Sequence, residues 1–246
     1  MIVLIENCFM KKYIFSMLAA FLVLSVSAQK VINDPHAEIR QVPSFNGISI
    51  SGNFTVILSQ GSEDAVAVSA ADREDVELIK TEVKEGILHI SSNAKNKFWT
   101  KNRKFKAYIS MKELETLKVG GASTVSIDGS ASFAKLKIRL SGASDLKGNI
   151  KVSGNLDIDL SGASDINING SAADMKVDLS GASMLKAYEF TVANLSAEAS
   201  GASTIHITVE KEISARLSGA STLRYKGTAL IRDIKTSGAS SIDRRS

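Results

Sequence analysis

Three acidic residues stand at equivalent places in successive repeats of this sequence and could together bind a cation. Asp159, Asp178 and Glu198 each lie three residues before the glycine of a Gly-Ala-Ser triplet, and Asp157 lies two residues before Asp159. If the repeats stack in parallel, equivalent carboxylates lie roughly 5 Å apart, which is one strand spacing. Such carboxylates repel one another, and a hard cation such as Ca²⁺ relieves that repulsion. These four residues are therefore a candidate metal site, and a structural Ca²⁺ is the only cofactor that the sequence suggests.

An alternative for these carboxylates is neutralisation by basic neighbours. The candidates are Arg139 and Arg216, which stand at the same repeat position, and Lys176, which lies on one of the same strands. Surface ion pairs of this kind are common and individually weak. Acid–base catalysis by paired carboxylates would also need a cleft, which the sequence does not reveal.

The densest basic stretch is a second candidate site, because it also contains the only tryptophan. Its proposed ligand-binding residues are Lys97, Phe98, Trp99, Lys101, Arg103 and Lys104. Basic and aromatic side chains together could bind an acidic glycan or a lipid headgroup by charge and stacking. The alternative is a turn whose aromatic residue packs over an open end of the fold and shields it.

No residue is predicted to be catalytic. The histidines His36, His89 and His206 have no partner at motif spacing, and the nucleophile elbow Gly-x-Ser-x-Gly is absent. His206 stands between two isoleucines, which places it on the polar side of a strand. Without paired histidines or cysteines in the mature chain, a zinc site is not supported either. The sequence therefore favours a protein that is not an enzyme.

These candidate sites depend on a repeat of about 20 residues, which recurs over about seven turns. The triplet Gly-Ala-Ser begins at Gly121, Gly142, Gly162, Gly181, Gly201, Gly219 and Gly238. Apolar residues lie four and two positions before most of these glycines and four positions after all of them. This alternation is typical of strands with one buried side.

Two architectures could hold such repeats, an antiparallel meander and a parallel solenoid. A solenoid stacks each residue on its equivalent one coil away, so identical residues in every repeat favour it. The fold class predicted is all-β, a single-chain parallel β-helix or β-solenoid with Gly-Ala-Ser ladders. The glycine could form a left-handed corner, or it could point inward on a continuing strand, and the sequence leaves both options open.

The predicted organisation has a signal peptide at 1–28, a loose leader at 29–41, and an N-terminal β cap with opening coils at 42–120. The Gly-Ala-Ser solenoid follows at 121–246, and 42–246 is expected to form one domain. A second small β-domain is the alternative for 42–120. In that region Gly52 has the apolar spacing that precedes the later glycines, so it could begin a first coil.

The N-terminus has the features of a secretory signal. Lys11 and Lys12 precede an apolar run over residues 13–24, and small residues lead to a cleavage position after Ala28. An uncleaved anchor helix is the alternative, but the run is short for a membrane span, so none is expected after cleavage. Cys8 precedes the run, which argues against lipid attachment there. The net charge of +4 is too small to indicate nucleic acid binding.

The order of motifs resembles the DUF2807 family of auto-transporter adhesins with a head GIN domain, which is common in Bacteroidetes. A signal peptide precedes Phe45-Asn46-Gly47-Ile48 and Ser51-Gly52-Asn53-Phe54, and then come Gly86-Ile87-Leu88-His89-Ile90 and the Ser-Gly-Ala-Ser repeats. The likeness covers about residues 43 to 242. It implies a β-helix similar to the pectin-lyase fold, no recognised catalytic residues, and a role in cell adhesion.

The leading hypothesis is an exported, non-enzymatic cell-envelope protein, an adhesin or surface scaffold located in the periplasm, at the outer membrane or outside the cell. Its expected partners are a glycan or cell-surface component, and further copies of itself are a second option. The alternative is a polysaccharide-active β-helix enzyme, lyase-like and assisted by Ca²⁺. A third hypothesis is a module that only assembles with itself through the solenoid ends.

Overall fold

The computed structural model describes residues 34–92 and 105–245, and almost all regular structure there is β. The first nine strands are β1 (Glu38–Arg40), β2 (Gly47–Gly52), β3 (Phe54–Gln60), β4 (Ala65–Ala70), β5 (Ile79–Lys84), β6 (Ile87–Ser92), β7 (Phe105–Met111), β8 (Thr116–Gly121) and β9 (Thr124–Phe133). The others are β10 (Leu136–Leu140), β11 (Asp145–Leu160), β12 (Asp165–Leu179), β13 (Met184–Ala199), β14 (Thr204–Leu217), β15 (Thr222–Lys226), β16 (Leu230–Thr236) and β17 (Ser241–Arg244). A 3₁₀ helix (Arg73–Leu78) lies between β4 and β5.

The strands wind into a parallel solenoid with two long faces. The face that leads into the glycines, here the pre-glycine face, contains β6, β2, β8, β10, the second halves of β11–β14, and β16 in that order. The face that follows the glycines, here the post-glycine face, contains β7, β3, β9, the first halves of β11–β14, β15 and β17. The predicted β-solenoid is thus confirmed. The seven Gly-Ala-Ser corners enclose six complete coils, so the regular part of the solenoid has about six turns.

The Gly-Ala-Ser triplet is the sharp corner between the two faces, which decides between the two options that the sequence left open. Gly162 has a φ of +77°, and a Cβ built on it would lie 2.5 Å from the carbonyl oxygen of Gly142 in the preceding coil. The N–H of Ala163 donates to that same oxygen at 2.8 Å. Ser164 is buried, and its hydroxyl donates to the carbonyl of Ser161 at 2.9 Å. Only glycine permits both this backbone conformation and this approach of the coils.

The core lies between the two faces and follows the predicted alternation. Ile158 and Leu160 of β11 and Ile166 of β12 are fully buried, while their neighbours Asp157 and Asp159 face solvent. Equivalent apolar residues from successive coils stack on one another, and the serines of the corners complete the interior. Burial decreases in the last coil, where Ile234 and Ile242 are only half-buried.

The N-terminal coils do not stack in sequence order. β2 and β3 lie between the coil of β8 and β9 on one side and the coil of β6 and β7 on the other. Gly52 pairs with Gly121, so it begins the first rung of the glycine ladder, as the apolar spacing indicated. The segment joining β6 to β7 contains residues 93–104, which lie outside the described part.

Antiparallel strands close this end of the solenoid. β4 pairs with β7 on the post-glycine face and β1 pairs with β4, while β5 pairs with β6 on the pre-glycine face. Strand β1 lies inside the segment that the sequence predicted as a loose leader, so that part of the leader is ordered. The strand forms because β4 offers an open edge whose backbone groups need partners.

Among the described residues, no helix has the length and apolar character of a membrane-spanning helix.

Candidate functional site

Two of the predicted regions fall outside the described residues. They are the signal peptide at 1–28 and the basic-aromatic residues Lys97, Phe98, Trp99, Lys101, Arg103 and Lys104. Both therefore stay predictions. The four candidate metal ligands Asp157, Asp159, Asp178 and Glu198 lie on the pre-glycine face, and the glycines of the repeat lie at the corners.

The acidic residues form the ladder that the repeat predicted. On the pre-glycine face, Asp159 of β11 pairs in register with Asp178 of β12, which pairs with Glu198 of β13. The complete ladder reads Lys118, Arg139, Asp159, Asp178, Glu198, Arg216 and Lys235. Asp157 lies in the adjacent ladder, between Lys137 and Lys176. Adjacent rungs of this kind lie about 4.8 Å apart.

Each of the four candidate carboxylates has a cation beside it. Four ion pairs join Arg139 Nε to Asp159 Oδ2 at 3.5 Å, Lys176 Nζ to Asp178 Oδ2 at 3.4 Å, Arg216 Nη1 to Glu198 Oε1 at 3.6 Å, and Lys137 Nζ to Asp157 Oδ2 at 3.9 Å. Within residues 34–92 and 105–245, no three acidic, histidine or cysteine side chains are grouped closely enough to hold a metal ion. The basic neighbours named from the sequence thus contact the acidic residues, and Ca²⁺ binding stays a prediction.

A shallow groove of about 450 Å³ runs beside this ladder. Its walls are the ladder side chains and the serines that precede the glycines: Ser180, Ser200, Ser218 and Ser237. Arg216, which is the register neighbour of Glu198, and Lys235 on the next rung stand at one end of the groove. The groove therefore presents carboxylates, hydroxyls and two cations along an extended, solvent-open line.

A second polar cluster lies on the post-glycine face and was not predicted from the sequence. It consists of Lys186, Tyr188, His206, Arg224, Lys226 and Arg245, here called the Tyr188 cluster. Lys186, His206 and Arg224 are register neighbours on β13, β14 and β15, so three basic groups follow one another along the solenoid axis. The Tyr188 ring stacks on the His206 ring with 4.6 Å between centroids and 6° between planes.

Two further cations lie over the Tyr188 ring. Lys226 Nζ is 5.3 Å and Arg245 Cζ is 6.0 Å from the ring centroid, which is within the range of cation–π attraction. Burial lowers the pKa of His206, and the positive charges of Arg224, Arg245 and Lys186 lower it further. His206 is therefore neutral at pH 7, with cations around it.

The cluster escaped sequence analysis because its aromatic residue sits where the repeat is irregular. The register of β13 on β14 shifts between Ala187 and Thr191, so the position of Tyr188 cannot be read from the neighbouring coils. The signal that was available is the stacking of Lys186, His206 and Arg224, which share one repeat position. The predicted exposure of His206 on the polar side of its strand agrees with its half-buried place between Ile205 and Ile207.

A third cluster ties the leader to the cap. Asp34 is half-buried, with a side chain only 8% exposed, and its carboxylate accepts hydrogen bonds from Tyr108 Oη at 2.8 Å, Lys106 Nζ at 3.0 Å, Ser69 Oγ at 2.9 Å and the N–H of His36 at 3.2 Å. Burial by itself would raise the pKa of Asp34, but these four donors outweigh it and hold the pKa well below its usual range. Every acceptor position is used within the fold, so this cluster acts as a clasp.

Solved structures from Bacteroides and Parabacteroides species share this fold. A protein described as a "putative adhesin" from Bacteroides fragilis shares 18% identity at a TM-score of 0.76, covering 85% of this chain and 96% of that chain. A "putative lipid binding protein" from Parabacteroides distasonis also shares 18% identity, at a TM-score of 0.66 with the same coverage. A "putative adhesin" from Parabacteroides merdae shares 16% identity at a TM-score of 0.59, covering 85% and 95%. At these identities the likeness concerns the fold alone.

No curated protein matches the sequence. A family model does match, over residues 44–229, and it is described as "Putative auto-transporter adhesin, head GIN domain". The match includes the N-terminal cap, the out-of-order coils and most of the Gly-Ala-Ser corners, so it covers the features that define the fold. The chain belongs to the DUF2807 family of adhesin-like proteins.

Proposed function

We propose that this protein is an exported, non-enzymatic component of the cell envelope that binds cell-surface or extracellular glycans through the faces of its solenoid. The observation that carries the proposal is the set of side-chain ladders. Equivalent polar residues repeat along a rigid axis at about the strand spacing. A repeating ligand can be met by such a surface at several rungs at once, so weak contacts add up.

The ion pairs support binding rather than catalysis on the pre-glycine face. A catalytic carboxylate needs a partner that perturbs it and a cleft that excludes water. Here the side chains of Asp159 and Glu198 are about half exposed, at 52% and 55%, and each contacts an arginine. The adhesin-like family and its structural relatives agree with a binding role.

A polysaccharide-active enzyme is the second candidate, and one feature of the groove favours it. Arg216 stands beside Glu198, and Lys235 follows Arg216 on the next rung. The amine of Lys235, in its uncharged form, could remove a proton from a uronate sugar lying along these carboxylates. Ca²⁺ bound by Asp159, Asp178 and Glu198 would, in that case, neutralise the substrate carboxylate.

Binding and turnover can be separated in one experiment. The full-length protein is incubated with a panel of neutral and acidic polysaccharides, with and without millimolar Ca²⁺, while binding and the release of reducing ends are both followed. We expect retention of at least one polysaccharide without any release of new ends. Release of ends that is lost in the Glu198→Gln variant would establish the enzyme instead.

Export has its own test. We expect the chain, expressed in a Gram-negative host, to be recovered outside the cytoplasm with Gln29 as its new N-terminus, because small residues precede that position. N-terminal sequencing and fractionation measure both. An intact N-terminus in the cytoplasmic fraction would contradict export, and an intact N-terminus in the membrane fraction would indicate the anchor helix.

A further inference from the structure

The Tyr188 cluster has more donors than the described chain provides acceptors for. Arg224, Lys226 and Arg245 have no carboxylate within ion-pair distance in the described part of the chain. Tyr188 Oη and His206 Nε2 are buried, and the described residues offer neither a hydrogen-bond partner. Buried polar atoms without partners are rare in native proteins, because leaving them unpaired is costly.

The hydrogen-bonding groups of the Tyr188 cluster determine which kind of ligand could bind all of them at once. A tyrosine hydroxyl donates a hydrogen bond, as do guanidinium and ammonium groups. Nε2 of His206 donates as well in the neutral tautomer that carries its proton on that nitrogen. A ligand that matches all of them must be an acceptor with negative charge, and planar or tetrahedral oxyanions fit arginine forks well. The side chains of Lys226 and Arg245 lie over the Tyr188 ring and are long enough to close over such a group.

The acidic groups around the Tyr188 cluster neutralise only part of the positive charge of its lysine and arginine side chains. Asp165 pairs with Lys186 through Oδ2 and Nζ at 3.3 Å, and Asp243 is the register neighbour of Arg224. Glu210 accepts a hydrogen bond from Thr228 Oγ1 instead of contacting a cation of the cluster. The remaining cations point to a site for a discrete anionic group.

We propose that the Tyr188 cluster binds the carboxylate or sulfate groups of an acidic polysaccharide, an inference that rests on the binding role proposed above. Lys186, His206 and Arg224 follow the solenoid axis at the strand spacing, so an extended polyanion lying along this face meets successive donors. A membrane surface fits less well. The large apolar side chains exposed in the described residues are Ile39, Leu230 and Ile231. Leu230 and Ile231 lie on β16 of the pre-glycine face, and Ile39 lies on β1, which is beyond β7 and β4 at the opposite end of the solenoid from the Tyr188 cluster.

The probes are oligogalacturonate and a sulfated galacto-oligosaccharide, each with a neutral counterpart, namely the methyl-esterified and the unsulfated form. Binding to the full-length protein is measured by calorimetry at constant ionic strength. We expect at least one acidic probe to bind and its neutral counterpart to bind at least about tenfold more weakly, because a charge-assisted hydrogen bond contributes about that factor.

Three variants locate the site. Arg224→Gln combined with Arg245→Gln removes two cations, and Tyr188→Phe removes only the hydroxyl while keeping the ring stack. Lys147→Gln is the matched control, because Lys147 occupies the same repeat position as Lys186 two coils away. We expect a loss of about tenfold or more in the double variant, a smaller loss in Tyr188→Phe, and unchanged binding in Lys147→Gln.

The outcomes separate this inference from the proposed function. Binding of neither acidic probe, equal binding of the neutral counterparts, or equal losses in Lys147→Gln would overturn the Tyr188 site. If the protein gave any of these results but still retained a neutral polysaccharide, the proposed glycan-binding function would stand without the Tyr188 site. Preference for phosphatidylglycerol vesicles over both saccharides would also overturn the inference and assign the cluster to lipid headgroups.

Discussion

The three residues of each corner do different work, and the glycine has the least freedom to change. Its positive φ excludes most side chains, and the carbonyl oxygen of the glycine one coil earlier occupies the space that a Cβ would need. The alanine continues the backbone hydrogen bonds between coils, and the buried serine satisfies a carbonyl within its own corner. Repetition of the triplet therefore follows from the contact of each corner with the one before it.

Gly162 and Gly129 allow the two demands on the glycine to be separated. Both have a φ near +75°, but a Cβ on Gly129 meets nothing within 4 Å, whereas one on Gly162 meets the Gly142 carbonyl. We expect Gly129→Ala to lose about 1 kcal/mol of unfolding free energy from backbone strain alone. Gly162→Ala should lose at least about 1 kcal/mol more, because a backbone oxygen must move.

Chemical denaturation of both variants measures the difference. Equal losses in the two variants would mean that conformation alone selects glycine, and that the close approach of the coils is easily relieved.

The sequence predicted some of these properties of individual residues, but not all of them. Seven identical triplets indicated stacking, yet their composition could not separate a corner from an inward-facing strand, because both exclude bulk. The distinction depends on φ, which the structure gives. The alternation around Ile158 and Leu160 predicted correctly which side chains are buried, since a period of two has one interpretation in a strand.

At the scale of elements, the cap depends on the Asp34 clasp. Because the pKa of Asp34 is held below its ordinary value near 4, the clasp contributes fully above about pH 4 and is lost as the pH falls through the lowered pKa. We expect Asp34→Asn to be less stable than the parent at pH 7 by about 1 kcal/mol or more, and to lose less stability than the parent on acidification.

Denaturation at pH 7 and near pH 3 compares these proteins. Glu115→Gln is the control, because its ion pair with Lys135 is exposed and worth little. Parent-like stability of Asp34→Asn at pH 7 would show that the leader is held by strand β1 alone.

A second prediction at the scale of elements concerns the effect of Ca²⁺ on the acidic ladder. Its carboxylates already contact Arg139, Lys176 and Arg216, so added Ca²⁺ has little repulsion left to relieve. We therefore expect the melting temperature of the full-length chain to stay the same in millimolar Ca²⁺, and Asp159→Asn with Asp178→Asn to behave alike with and without the ion.

A rise in melting temperature with Ca²⁺ that the double variant loses would establish the predicted metal site. It would also strengthen the case for the Ca²⁺-assisted enzyme.

Register explains which parts of the candidate sites the sequence could reveal. The order Asp159, Asp178, Glu198 was predictable, since equal spacing from the glycine brings equivalent positions together. Tyr188 was not, because the register shift after Ala187 breaks that equivalence. A cluster that forms at an irregularity depends on side-chain directions, which periodicity does not supply.

At the scale of the whole molecule, the chain combines a regular solenoid with an irregular beginning. The coil of β2 and β3 lies between two coils that come later in the sequence, and this insertion could not be predicted. Strands β6 and β7 lack the Gly-Ala-Ser corner, so nothing in the sequence orders them relative to β2. The regular part, in contrast, follows from contacts between neighbouring coils only.

Because each regular coil contacts only the coils next to it, we expect that a whole coil can be removed without loss of the fold. Deleting residues 162–180 joins Ser161 to Gly181, so a corner still follows Leu160, and β13 takes the place of β12 on β11. The apolar residues then meet equivalents, for example Ile158 against Ala197. We expect a folded, cooperatively unfolding protein of lower stability, because in solenoids the free energy is close to a sum over repeats and their interfaces.

Deleting residues 162–171 provides the control, because it removes half a coil and places the strand segment beginning at Ala172 where a corner is required. Circular dichroism, gel filtration and thermal unfolding compare both deletions with the parent. If the whole-coil deletion unfolds as completely as the half-coil deletion, the coils are not interchangeable, and the stability of the solenoid must depend on particular pairs such as Ile158 with Val177. If only the half-coil deletion unfolds, the fold requires only that equivalent positions of successive coils align. The outward-facing residues of the ladders can then change with the ligand without loss of the fold.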